Sequence, residues 1–271
     1  MVSKRIIACL DVRDGKVVKG VNFEALRDAG DPAALARRYN LEGIDEIVIL
    51  DVTATIESRQ ARANTIAAVA REIFLPLAVG GGIRSEEDAA AAIEAGADKV
   101  SLNTAALSNP TLITTLARKY GSQAVIVAID ARAGRARLQS RRYDVYARSG
   151  QLETTRDALE WAREATDRGA GEILLTSIDR DGTKAGFDCD LTAAVSDAVN
   201  IPVIASGGAG TFEHFAEVFG PGHADAALAA SIFHFNERSV SELKRFLAER
   251  HIPVRVSHAG HGAGGNIETC E

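Results

Sequence analysis

The stretch "RIIACLDVRDGKVVKG", residues 5–20, decides the fold. Its apolar run, Ile6 to Leu10, ends on Asp11, and the chain then turns polar. A second run, "AVIVAID" (124–130), ends the same way on Asp130. Both runs are continuously apolar rather than alternating, which is the pattern of parallel strands covered on both faces. Six more β-rich runs follow that pattern, at 46–50, 76–79, 98–102, 172–177, 201–205 and 225–229.

The segments between the runs carry helix signals. "GDPAALARRY" offers Asp31 as N-cap and Pro32 at the first helical position, and "SNPTLITTLARKYG" repeats this with Asn109 and Pro110 before closing on Gly121. "SEEDAAAAIEAG" opens with the capping pair Ser85 and Asp88 and stops at Gly96. "TTRDALEWAREATDRG" spaces Leu159, Ala162 and Ala165 on one helical face and ends at Gly169. Strand then helix, eight times over, predicts parallel βα units. At 271 residues the pattern predicts an α/β fold of the (β/α)8 TIM-barrel type as one domain over 1–256. A doubly wound open sheet, built of the same units, is the alternative. The Gly-rich segment 257–271 reads as a disordered tail, although His258, His261 and Cys270 lie in it.

The two halves also resemble each other. "LPLAVGGGIRSEEDAAAAIEAGADKVSLNT" (75–104) aligns with "IPVIASGGAGTFEHFAEVFGPGHADAALAAS" (201–231), matching Gly81 to Gly207, Asp98 to Asp225 and Thr104 to Ser231. "DEIVILD" (45–51) matches "GEILLTS" (171–177). Two half-barrel repeats would put Asp11 and Asp130 on opposite sides of one mouth.

Bulk properties narrow the function. Hydrophobic residues make up 46% and charged residues 25%, the balance of an ordinary globular protein. The net charge of −6 argues against a general nucleic-acid surface. No apolar stretch approaches the ~20 residues of a membrane span. "MVSKR" runs straight into a strand without a secretory core. Three scattered cysteines, Cys9, Cys189 and Cys270, read as reduced thiols of a cytoplasmic protein. No zinc spacing, nucleophile elbow or dinucleotide fingerprint is present, so neither metal nor cofactor is expected.

In a barrel the C-terminal strand ends build the active site. Glycines after the third and seventh runs, "GGGI" (80–83) and "SGGAG" (206–210), let backbone N–H groups approach an anion, and Thr104 and Ser231 add hydroxyls after the fourth and eighth. One Gly-Gly is by itself turn chemistry. Two sets at matched positions point instead to a ligand with a phosphate at each end. A strand-end aspartate is by itself a cap or a loop hydrogen-bonder, but the symmetric pair Asp11 and Asp130 suits proton transfer in ring closure, isomerisation or elimination. For Asp51, Asp179 and Asp181, loop ordering serves as well as chemistry.

The blocks "RIIACLDVRDGKVVKGVNFEALRDAGDP", "GGGIRS", "GADKVSLNTAAL", "AGEILLTSIDRDGTKAGFD", "VIASGGAG" and "ADAALAASIFHF" resemble the cyclase-subunit family of imidazole glycerol phosphate synthase, from histidine biosynthesis. The likeness runs from about residue 4 to 256. It implies a bis-phosphorylated ribulosyl-formimino aminoimidazole carboxamide ribonucleotide as substrate. Ammonia would convert it to imidazole glycerol phosphate and aminoimidazole carboxamide ribonucleotide. It further implies Asp130 as general base, Asp11 as general acid, and Lys19 on a long flexible first loop that closes over substrate. Phosphate and substrate contacts would fall to Gly82, Asn103 and Thr104 in one half, and to Thr176, Asp181, Gly182, Gly208, Ala229, Ala230 and Ser231 in the other. At the opposite face it implies a charged ammonia gate of Arg5, Glu46, Lys99 and Glu172, with Asp98 beside it on the docking face of a glutaminase subunit, giving a heterodimer. Four charges at strand starts also make a plain salt-bridged plug. Two departures stand out: Thr155 replaces a usual glycine, and "FGPGHAD" (219–225) is longer than the usual turn. The isomerase of the preceding pathway step and a non-catalytic phosphosugar-binding subunit are the competing functions. The first loop and "LTSIDRDGTKAG" favour the cyclase over the former, and retention of both aspartates argues against the latter.

Overall fold

The computed structural model describes residues 2–21, 24–52, 58–134, 142–148, 150–234 and 239–256; the tail 257–271 lies outside them. Eight parallel strands form the core: β1 (Arg5–Arg13), β2 (Glu46–Asp51), β3 (Leu77–Gly80), β4 (Lys99–Leu102), β5 (Val125–Ala133), β6 (Glu172–Ser177), β7 (Val203–Ser206) and β8 (Ala226–Ala229). Each pairs with the next, and β8 pairs with β1, so the sheet closes on itself. Closure leaves none of the eight core strands at an edge and decides for the barrel over the open sheet.

Alternation along each strand sorts side chains into two cores. On β1, Ile6, Ala8, Leu10 and Val12 pack outward into the helix shell. Ile7 and Cys9 join Val48, Ala78, Ile126, Leu174, Ile204, Ala226 and Leu228 inside the barrel. The inward register then carries Arg5 to the bottom of the barrel and Asp11 to its top. Six residues of strand separate them, about 20 Å at the usual rise.

Helix ends mostly follow the local signals. Asp31 accepts from Ala34 N at 2.8 Å to start the helix Pro32–Glu42, and Gly43 ends it at φ 87°. Such a cap contributes about 1 kcal/mol. Ser85 accepts from Asp88 N, but the Asp88 carboxylate reaches back to Arg84 N instead of completing the box on Ser85. The helix expected from Asn109 and Pro110 starts at Thr111, one residue along, with Pro110 in the cap position at φ −60° and ψ −22° and no side chain capping it, while Asn109 N–H closes the short helix Thr104–Ser108 on Ala105 O. The segment 219–225 folds as a compact turn in which Ala224 N–H returns to Val218 O.

Two hairpins depart from the sequence reading. The polar stretch after β1, expected as a flexible loop, forms antiparallel strands Lys16–Val21 and Glu24–Gly30 that extend β1. After β5, Tyr143–Ala147 and Leu152–Asp157 do the same. Thr154 to Arg156 therefore lie in a strand, and the helix begins only at Ala158, capped by Asp157. β-branched Thr154 and Thr155 suit the pleated chain, and Arg142 donates to Thr155 O at 2.9 Å.

Candidate active site

The catalytic candidates stand at the C-terminal ends of opposite strands, Asp11 on β1 and Asp130 on β5. In register, Asp11 sits beside Leu50 and Asp130 beside Thr176. Cys9, one inward position below, brings its thiol within 3.6 Å of Asp11 Oδ1. Asp130 Oδ2 accepts from Asn103 Nδ2 at 2.9 Å. Burial pushes the Asp130 carboxyl up to about 6, and the charge of Asp181 adds to the rise while the Asn103 bond opposes it. Asn103 caps no N–H of the helix behind it, and its Oδ1 is buried without a protein partner.

Two glycine loops flank this pair. Gly81 and Gly82 after β3 take φ of 80° and 70°, and Gly207 and Gly208 after β7 take 91° and 102°. Only glycine adopts that left-handed region freely. Each pair precedes a helix by the same spacing, with Ser85 and Thr211 as the N-caps. Packing forbids side chains here as well. A Cβ on Gly81 would strike Asp51 O, and one on Gly208 would strike Gly186 O. Gly186 N–H in turn donates to Gly208 O at 2.9 Å, locking the β7 loop onto the β6 loop.

The remaining upper candidates fall around this mouth. Thr104 follows Asn103 after β4, Thr176 is next to last on β6, Asp181 and Gly182 lie in the loop after it, Ala229 ends β8, and Ala230 and Ser231 follow it. Thr104 Oγ1 accepts from Arg148 N of the β5 hairpin at 3.0 Å. Lys19 lies on the first hairpin in register with Arg27; its side chain, like that of Ser231, is outside the described residues. Asp179 serves loop order: it accepts from Ala133 N and pairs with Arg132.

At the bottom, Arg5, Glu46, Lys99 and Glu172 form one ring. Arg5 donates to Glu46 at 2.7 Å and to Glu172 at 2.8 Å. Lys99 donates to Glu46 at 2.9 Å and to Glu172 at 2.7 Å. Glu46 is buried, and desolvation raises its carboxyl despite Lys99 and Arg5. Burial also works against Glu172, but its bonds to Arg5 and the charge of Lys99 outweigh it and hold the group low. Asp98 stands apart from the ring, exposed, with its carboxylate accepting from Leu77 N at 2.9 Å. Asp45 and Asp225 do the same for Ile6 N and Val203 N. Asp98 is thus one of a set that fastens strand starts.

Three residues at the mouth escaped sequence reading. His214 Nδ1 accepts from Gly210 N and Thr211 N, each at 3.2 Å, and so holds the β7 loop from behind. Its position three after Thr211 is a capping signal, although Glu or Gln is the usual occupant. Arg148 and Arg62, both reaching glycine or hydroxyl loops across many residues, left no local signal.

Among the described residues no group of three or more His, Cys, Asp or Glu could hold a metal ion, and no helix is long and apolar enough to cross a membrane. The chain matches the family described as Histidine biosynthesis protein over residues 5–239. It is 59% identical over 256 residues to a protein of Acidobacterium capsulatum named imidazole glycerol phosphate synthase subunit HisF, a span covering 94% of this chain and 99% of that protein.

Proposed function

This chain belongs to the histidine biosynthesis protein family, and from that premise we propose how its residues perform the cyclase reaction of imidazole glycerol phosphate synthase. The cyclase function itself follows from the full-length likeness to HisF, which favours it over the isomerase and over a silent binding subunit. The observation that carries the residue assignment is the pair Asp11 and Asp130 at opposite strand ends of one mouth, between two loops of paired left-handed glycines.

Building an imidazole ring from ammonia and the formimino substrate moves protons off the incoming nitrogen and onto departing oxygen and nitrogen. Asp130, with a carboxyl near 6, is ionised at neutral pH yet basic enough to take a proton. Asp11 supplies the complementary acid from the far side. Gly82, Asn103 and Thr104 would hold one substrate phosphate, and Gly208 with the β6 and β8 ends, Thr176, Asp181, Gly182, Ala229, Ala230 and Ser231, the other. Lys19, on the hairpin that extends β1, would close over the bound substrate. The repeat of loop conformation and cap spacing supports the reading of two half-barrels.

A subunit of a synthase implies a second chain, and we assign it as the glutaminase that supplies ammonia. The bottom face suits its docking. A groove of about 420 Å³ opens there beside Asp98, lined by Ala70, Ile73, Phe74 and Pro76. Phe74 is 97% exposed. The neighbouring four-charge ring would admit ammonia toward the top only by parting its ion pairs. Turnover of the formimino substrate with an ammonium salt by the pure chain tests the proposal. Turnover with glutamine alone, without a partner, would contradict it.

A further inference from the structure

Arg62 lies on the helix Ser58–Glu72, whose inward positions are otherwise apolar: Ile66 and Val69 are fully buried. An arginine side chain only 7% exposed is out of place in such a row. Burying a guanidinium is strongly unfavourable unless it is paired and hydrogen-bonded. Here Nη1 donates to Gly81 O at 3.0 Å and lies 4.0 Å from Asp51 Oδ2, and Nη2 lies 4.0 Å from Asp88 Oδ1. Asp88, itself buried, accepts from Arg84 N with its other oxygen at 3.0 Å. One guanidinium thus ties the Gly-Gly turn after β3 to the end of β2 and to the helix behind the turn.

The contact has a consequence for the mouth. The peptide between Gly81 and Gly82 is planar and trans, so its C=O and N–H point in opposite directions. With the Gly81 carbonyl drawn back to Arg62 on the helix side, the Gly82 N–H is directed away from the helix layer, toward the barrel mouth. A methyl on Gly82 would meet Arg62 Nη1, so the guanidinium can hold this place only beside a residue with no side chain.

We propose that Arg62 is the positioning residue of the anion site after β3, holding the Gly81 carbonyl so that the Gly82 amide meets one substrate phosphate. This rests on the reading of that loop as a phosphate site. Arg62→Met keeps an unbranched apolar stem, shorter than arginine by the guanidinium end, and removes its donors. Loss of one oriented hydrogen bond is worth about tenfold. For Arg62→Met we expect KM for the formimino substrate in the ammonia reaction to rise about tenfold, with kcat within twofold. Arg62→Lys, which keeps one donor, should recover part of it. Inorganic phosphate, followed by the amide resonance of Gly82 in the intact chain, should shift that resonance in the wild type and bind about tenfold more weakly to Arg62→Met. Wild-type KM and phosphate affinity in Arg62→Met, even with a lowered Tm, would overturn the inference and leave the phosphate site standing. A wild-type Gly82 resonance indifferent to phosphate would overturn both. If Arg62→Met does not fold, Asp88→Asn loosens the same brace without a cavity. A raised KM with unchanged kcat supports the proposal there, and an unchanged KM refutes it.

Discussion

Asn103, directly after β4, donates its side-chain amide to Asp130 Oδ2 on the neighbouring strand across 2.9 Å. The contact gives the Asp130 carboxylate both an orientation and a restraint. Burial and Asp181 raise the Asp130 carboxyl, and Asn103 is the partner that opposes them. The other amide atom, Asn103 Oδ1, is buried without a protein partner and remains available to a substrate N–H or O–H.

Asp130→Asn and Asp11→Asn preserve shape and remove proton exchange. Each should lower kcat in the ammonia reaction by roughly 10²–10⁴-fold. Circular dichroism and thermal melting should show intact folding. Wild-type rates in both variants would end the assignment.

The pH profile follows from the carboxyl near 6. At constant free NH3, kcat/KM should fall on the acid side with an apparent pKa of about 6 as Asp130 takes up its proton. Asn103→Leu removes the bond that favours the charged form, so the acid limb should move to higher pH. A limb that stays in place in that variant would show that another group controls it.

The same carboxyl should cost stability. Its native value is about 6 against an ordinary 3.8, so the folded chain binds more protons between those values. Stability is therefore lost as pH rises through that window, by up to about 3 kcal/mol above it. Asp130→Asn should unfold at higher denaturant than wild type at pH 7.5, and the gain should vanish near pH 4. Equal midpoints at both pH values would rule out the penalty.

At the bottom face, Phe74→Ser should weaken binding of the glutaminase by about tenfold or more, as expected for an exposed aromatic anchor. The ammonia reaction should be unchanged, because the side chain packs against almost nothing in the isolated barrel. Titration calorimetry with the partner, beside the ammonia assay, separates the two effects. Asp98 is the poorer probe, since its carboxylate also fastens Leu77 N.

Lys244, 2% exposed, donates to Gly43 O and to Asp45 Oδ1, each at 2.6 Å. It joins the last helix, Val240–Glu249, to the loop before β2, where Asp45 also accepts from Ile6 N. Lys244→Met should destabilise the chain by roughly 3–5 kcal/mol, the range for breaking a buried pair. Urea unfolding measures it, and a loss below 1 kcal/mol would mean that Arg255, which also donates to Asp45 Oδ1 at 2.9 Å, carries Asp45 alone.

Much of this protein was legible along the chain. The eight apolar runs fall on the eight barrel strands, and Asp31, Ser85, Gly96 and Gly121 act where their local chemistry placed them. The two hairpins were not legible. Val17 and Val18 are adjacent rather than alternating, Leu152–Asp157 is polar, and the buried alternation of Tyr143, Val145 and Ala147 lasts only five residues, too short a period to stand out along the chain. The cap expected at Asn109 falls one residue on, at Pro110, because Asn109 already serves as the C-cap of a short upstream helix that the sequence did not announce.

Sequence by itself determined what depends on neighbours within a few residues: strand and helix identity, the caps, the left-handed glycines, and the aspartate that ends each of two strands. These follow from backbone sterics and periodic burial, which act locally. Only the tertiary structure decided that the sheet closes, that Asn103 restrains Asp130, that Arg5 meets Glu172 from 167 positions away, and that Arg62 stands behind Gly81. Each of those joins elements brought together only when the barrel closes, and the energies of burial and pairing that hold them do not exist before it does.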